Sequence, residues 1–173
     1  MARVQDEPEM DAQVEQAPTN DWTIAALAHA SILLLLILGS VGGVGTLVGP
    51  AVALALYMGY RYQSRYVAFQ ALQAFVYQVT GMLVGLPAYI LGIVILVVGV
   101  VVSWLVSGLL SVVLVGFLLM PFALLITLVL VLWAVVVPIA WIGYGVYGAF
   151  QAYQGNEFRY WLIGEALERE VRL

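Results

Sequence analysis

A lone histidine, a file of amides and hydroxyls, and two arginines are the interior side chains of this 173-residue chain that have chemistry to offer. His29 is the only histidine. An ionisable group in an apolar segment invites two readings: a neutral imidazole hydrogen-bonding between helices, or a group that handles protons or a ligand. Gln70, Gln73, Tyr77 and Thr80 recur at i, i+3, i+7 and i+10, which stacks them along one helical face with Gln78 close by. Such a face can line a hydrophilic path. It can also bind helices together, because buried amides need partners. Arg61 and Arg65 are the only charges between Asp21 and Glu157. Set among Tyr57, Tyr60, Tyr62 and Tyr66, they mark a membrane surface and touch anionic headgroups, or they hold a phosphate or a partner.

Other chemistries find no residues to carry them. The chain has no cysteine, so disulfides, thiolate metal sites and cysteine nucleophiles are excluded. One histidine makes no metal site. No nucleophile–base pair, carboxylate pair, phosphate-binding glycine loop or dinucleotide fingerprint occurs. The long apolar segments hold no acid, which argues against a proton-coupled transporter or an intramembrane aspartyl enzyme. No catalytic residue, cofactor or metal is therefore expected, and the function is expected to be non-enzymatic. The net charge of −4 argues against nucleic acid, which wants a basic patch.

The elements that position these residues are membrane helices. Hydrophobic residues make up 64% of the chain, far above the norm for soluble proteins. Trp22–Tyr60 carries no charge and is split by Gly39, Gly42, Gly43, Gly45 and Gly49. That predicts helix 1 over about Asp21–Leu38 and helix 2 over about Thr46–Tyr60, the second opened by Pro50 in its first turn. Tyr66–Asn156 is also free of charge, and as a single helix it would run ~137 Å, several times the ~30 Å hydrocarbon core. It must fold back. Two crossings of about 40 residues fit, with an outer turn at Ser103–Ser111 and kinks at Pro87, Pro121 and Pro138. Four crossings also fit, with further turns at Gly85-Leu86-Pro87, Met120-Pro121 and Val137-Pro138. The preferred total is four spans, with six as the alternative.

Gly81 and Gly85 form a GxxxG motif, and Gly145 and Ala149 repeat the small-xxx-small spacing that lets helices approach closely, as do Ala26/Ala30 and Ala51/Ala55. Arg61 and Arg65 lie in one loop and Arg159, Arg169 and Arg172 in the C-terminal tail. Short arginine-bearing loops favour the cytoplasm, which gives an even number of crossings between them and places both termini inside. Residues 1–20 read as an acidic, flexible cytoplasmic tail, 21–156 as the transmembrane domain, and 157–173 as a short interfacial amphipathic helix. In that last segment Phe158, Tyr160 and Trp161 would sit at headgroup level beside Arg159, with Glu165/Arg169 and Glu168/Arg172 as i, i+4 pairs. The acidic start lacks the basic region of a cleaved signal, so the first segment reads as a retained anchor.

Three stretches resemble a known family. Ala25-Ala26-Leu27-Ala28-His29-Ala30-Ser31 with Gly49-Pro50, then Val67-Ala68-Phe69-Gln70-Ala71-Leu72-Gln73-Ala74-Phe75, then Ala152-Tyr153-Gln154-Gly155 running on to Gly164-Glu165-Ala166, resemble in order the segments of the Tic20-like (DUF4870) small membrane proteins. Phe69 stands where that family usually has His, and Trp161 where it usually has Pro. The resemblance implies a multi-span helical fold and a role in assemblies, through its plastid members in protein import.

The residues thus predict an all-α integral membrane protein of a prokaryotic plasma membrane. The leading expectation is a subunit or scaffold of a larger membrane assembly, related by resemblance to protein translocation. Its partners would be lipids and other membrane proteins or further copies of itself. The alternative is an oligomeric channel or carrier lined by Gln70, Gln73 and Tyr77.

Overall fold

A computed structural model describes residues 19–39, 43–161, 163, 164, 166 and 167, and these are helical almost throughout, with no strand among them. The order is α1 (Thr19–Ala30), α2 (Ile32–Gly39), a 3-10 segment (Gly43–Leu47), α3 (Val48–Tyr60), α4 (Arg65–Thr80), a π-helical turn (Gly81–Gly85), α5 (Leu86–Leu110), a 3-10 turn (Ser111–Val113) and α6 (Val115–Tyr153). The acidic tail over 1–18, the loop around Gly42 and the pairs Glu165/Arg169 and Glu168/Arg172 lie outside the described residues.

The first predicted helix is broken at Ser31. Its hydroxyl donates to Ala28 O at 2.7 Å and also reaches Gly49 O at 3.1 Å, while Leu34 N bonds back to Ser31 O. A serine that bonds both its own helix and a neighbour bends the axis and ties α1 to α3. Helix 1 was expected to begin at about Asp21. The helix instead begins at Thr19, and Asp21, in its first turn, accepts from the Ser64 hydroxyl. Ser64, in extended backbone, also caps α4 by accepting from Val67 N at 3.3 Å. One hydroxyl thus starts α4 and fixes it to the start of α1.

Four short helical stretches, α1–α2, α3, α4 and the C-terminal part of α6, pack into a base. Its core is made of small residues: Ala28, Ala53, Ala71 and Ala74 are fully buried, with Leu56, Tyr57 and Phe75 packed around them. Small side chains let helix backbones approach closely where lipid, rather than water, surrounds them. The base closes where the last helix ends. Gly155 adopts φ +76, its N–H bonds Ala152 O, and Asn156 N bonds Gln151 O, the left-handed stop expected of a glycine after the helix. The Tyr66 hydroxyl donates to Ala152 O and Asn156 O at 3.2 and 3.1 Å. These ties gather Asp21, the Arg61–Arg65 loop and the start of the C-terminal tail at one end of the molecule.

Beyond the base, α5 and α6 run on together as a hairpin. The predicted outer turn at Ser103–Ser111 is displaced: α5 continues to Leu110, and the chain reverses at Leu114, the one described non-glycine residue with positive φ (64°). Ser103 and Ser107 do not break the helix; the Ser103 hydroxyl bonds Gly99 O one turn back at 2.6 Å, and Ser107 is buried against the turn. Pro121 and Pro138 lie inside α6 and Pro87 in the first turn of α5. Two continuous helical stretches, Arg65–Val113 and Val115–Tyr153, are long and apolar enough to cross a membrane; Gly45–Tyr60 is a shorter apolar helix.

Candidate functional site

The polar residues singled out in the sequence meet in the base, between α1, α4, α6 and the extended tail. His29 is fully buried, with Nε2 3.0 Å from Gln70 Oε1 and Nδ1 3.0 Å from the Tyr160 hydroxyl. Burial, then the neighbouring Tyr77 and Tyr144, push the Tyr160 phenol well above its ordinary range, so it keeps its proton and donates it to Nδ1. Gln70 Oε1 can only accept, so the imidazole proton is on Nε2, which donates to it. Both ring nitrogens are committed, and the ring is pinned between a helix and the tail.

Gln73 holds the tail directly. Its Nε2 donates to Phe158 O at 3.1 Å and its Oε1 accepts from Tyr160 N at 3.2 Å. Gln78 reaches the other way: its Nε2 donates to the Ser31 hydroxyl at 2.9 Å, extending the network through Ala28 and Gly49 to α3. Gln70, Gln73 and Gln78 are all essentially inaccessible. Two of their atoms, Gln70 Nε2 and Gln78 Oε1, have no partner among the described residues.

An aromatic cluster lies beside the network. Tyr77 stacks on Tyr160 with ring centres 4.1 Å apart and planes 6° apart. Tyr144 meets Tyr160 and Phe158 edge-on at 5.3 and 5.7 Å, and Phe158 meets His29 edge-on at 5.6 Å. The Tyr77 hydroxyl donates to Trp141 O at 2.7 Å. Edge-to-face and offset contacts of this kind favour one fixed arrangement of rings.

Several expectations need correction. Phe158 and Tyr160 are not headgroup-level anchors. They are 7% and 2% exposed, drawn inward because His29 and Gln73 satisfy the polar groups they bring with them. Thr80 is exposed: it is the last residue of α4, at the edge of the polar file and where the helix leaves the packed base. Gly85 packs against nothing within 4 Å of where a Cβ would stand, so the GxxxG pair does not form one contact surface; Gly81 alone is covered, by the Trp141 ring. Gly145 is buried against Ile32, whereas Ala149 is only partly covered. Among the expected headgroup contacts, Arg61 and Arg65 are exposed, with the Arg61 guanidinium 4.5 Å from the centre of the Tyr62 ring. Trp161 is 79% exposed. Arg159 pairs with Glu157 at 2.9 Å, an exposed contact that the sequence reading overlooked.

Ser31 and Tyr160 also belong to the site, although their sequence setting does not mark them for it. Ser31 lies two residues beyond His29, and Tyr160 gave no signal except its alternation with charged residues in the tail. Among the described residues no three His, Cys, Asp or Glu side chains gather in a way that could hold a metal ion.

Comparison with known proteins identifies the family. The model of the magnetosome magnetite crystal formation protein family (MamF/MmsF) matches residues 20–167. No curated protein and no solved structure matches the chain. The resemblance to the Tic20-like proteins is overturned by this match, and the link to protein translocation goes with it. The stretches that carried that resemblance are contact surfaces here: Ala25, Ala28, His29, Val67, Gln70, Ala71, Gln73 and Ala152 are all fully buried in the base. Small residues and amides at helix crossings are what close packing in lipid requires of any such bundle. The chain belongs to the magnetosome magnetite crystal formation protein family.

Proposed function

We propose that this protein is a non-enzymatic, integral structural component of the magnetosome membrane that contributes to magnetite crystal formation by shaping or organising that membrane. The family supplies the setting. The observation that carries the structural reading is the use made of the polar groups. Gln70 binds α1 through His29, Gln73 binds the tail and Gln78 binds Ser31, so the file of amides joins elements to one another. A face that bound passing ions would instead present its amides to an open route.

The Arg61–Arg65 loop and the start of the C-terminal tail share one end, which supports an even number of crossings between them and a common, cytoplasmic side for that end. Lipids surround the outward apolar faces, and other membrane proteins or further copies of the chain complete the assembly.

The test is made in a magnetite-forming cell from which the protein has been deleted, alongside the purified protein in liposomes. Return of the intact chain should restore crystal size and number, and the liposomes should stay impermeable to iron and to monovalent ions. Conductance in the liposomes that changes on Gln73→Leu would replace this reading with the channel. Normal crystals in the deleted cell would remove the role altogether.

A further inference from the structure

The two long helices are too long for one bilayer. At about 1.5 Å per residue, the 49 residues of Arg65–Val113 run ~74 Å and the 39 of Val115–Tyr153 run ~58 Å. A tilt of even 40° leaves the longer one at ~57 Å, against a hydrocarbon core of ~30 Å. Yet exposed apolar side chains line the hairpin part of both, from Leu83, Ile90 and Ile95 to Leu109 on one helix and from Leu118 to Ile139 on the other. Neither half of this surface suits water.

Both helices are weakened at one level, where the base ends and the hairpin begins. On one side lies the π-helical turn Gly81–Gly85, followed by Pro87; on the other lies Pro138. Two cross-links bracket this level: Tyr77 to Trp141 O at 2.7 Å and Tyr89 to Ala134 O at 3.0 Å. The second is informative. Ala134 O is the carbonyl that residue 138 would bond in an unbroken helix, and proline has no N–H to give. The Tyr89 hydroxyl takes that place. A backbone break whose lost hydrogen bond is supplied from a neighbouring helix can persist inside a membrane.

On the base side of the break α4 runs ~24 Å over its 16 residues, and the hairpin side is longer. Leu86–Leu110 spans ~37 Å at about 1.5 Å per residue, enough for one crossing. Aromatic rings mark both ends of that hairpin: Trp104 towards the tip and Tyr89 at the break. Rings with one polar edge prefer the two interfaces of a membrane. Base and hairpin are thus two units joined end to end, the hairpin long enough for one crossing and the base, by α4, close to one.

We propose that the α5–α6 hairpin folds back at the paired breaks, Gly81–Pro87 and Pro138, and lies beside the base in the same bilayer. The chain then crosses six times, and the hairpin tip at Ser111–Leu114 reaches the surface that carries Arg61 and Arg65. The Tyr89–Ala134 bond travels with the hairpin, and the Tyr77–Trp141 bond stays with the base.

The chain has no cysteine, so single cysteines report cleanly. Val112→Cys marks the tip, Tyr62→Cys the arginine loop and Leu47→Cys the opposite end of the base; all three native side chains are exposed. The full-length variants are reacted in oriented membranes with an impermeant maleimide, applied to each face in turn. Val112→Cys should label from the same face as Tyr62→Cys, and Leu47→Cys from the other. Labelling of Val112→Cys together with Leu47→Cys, or from neither face, overturns the proposal. A second measurement uses spin labels on a Tyr62→Cys, Val112→Cys double variant. The folded-back hairpin puts both labels on one membrane surface, about one to three helix diameters apart, ~10–35 Å. A separation near ~70 Å, the length of the straight helix, overturns it. Both readouts concern topology alone and stand whether or not the protein contributes to crystal formation.

Discussion

Gln73 pairs with the main chain at Tyr160 much as a neighbouring strand would, its Oε1 accepting from Tyr160 N while its Nε2 donates to Phe158 O. One side-chain amide therefore satisfies two main-chain groups of an extended tail. Replacing Gln73 by Leu strands both groups in a buried setting, at a cost of about 1–3 kcal/mol for each. We expect Gln73→Leu to lose about 2–6 kcal/mol of stability, concentrated in release of the tail. Limited trypsin digestion should show it as faster cleavage after Arg159, with cleavage at Arg61 little changed.

Tyr160 adds a dependence on pH with a definite sign. Its phenol is held above the ordinary value of 10.0, first by burial and then by Tyr77 and Tyr144, so the folded state favours the protonated form. The stabilisation this gives is fully present below pH 10 and is lost as pH rises towards the raised folded value. Tail retention, followed by hydrogen exchange at Tyr160 N, should be flat from neutral pH up to about 10 and fall above it. Tyr160→Phe should remove that alkaline loss. It should also cost about 1–2 kcal/mol at neutral pH, because His29 Nδ1 loses its donor.

The helices and the polar file were legible in the sequence because helical periodicity is a local property. Gln70 and Gln73 fall on one face whatever surrounds them. What they bind was not legible. His29 lies 131 residues from Tyr160, and Gln73 lies 85 from Phe158, and no spacing rule connects residues so far apart. Thr80 does follow the helical period, but it is the last residue of α4, where nothing packs over it, and periodicity alone does not tell where the packing stops. The turn near Ser103–Ser111 was misplaced because serines inside a helix can satisfy themselves on the preceding carbonyl, as Ser103 does on Gly99. The long apolar helices could be read from composition alone, but the pairing of their weak points needed the bond from Tyr89 to Ala134.

Ser64 makes a further test because it serves two elements. Its hydroxyl oxygen caps α4 at Val67 N and its proton goes to Asp21. Loss of an N-cap costs about 1 kcal/mol on average. Ser64→Ala should cost at least that much, whereas Asp21→Asn, which keeps an acceptor, should cost less. Thermal melts of the detergent-solubilised protein would rank the two. Equal losses would mean that the Asp21 charge, rather than the cap, carries the effect.

Two glycines separate close packing from mere composition. A methyl group at Gly49 would stand 2.6 Å from Gln78 Oε1 and 2.8 Å from Ser31 O. The second neighbour is backbone, at the point where α1 is already bent, and it cannot give way easily. Gly49→Ala should therefore cost about 1–3 kcal/mol, the usual range for overpacking a filled site. A methyl group at Gly85 would meet nothing within 4 Å. Gly85→Ala should be neutral, or stabilising by up to about 1 kcal/mol, since alanine loses less backbone entropy. A reading in which Gly81 and Gly85 form a helix-docking motif predicts the reverse order. Thermal melts of both variants in the same detergent decide between them, and a Gly85→Ala melting point well below that of Gly49→Ala would show that another helix covers the π-helical turn in the membrane.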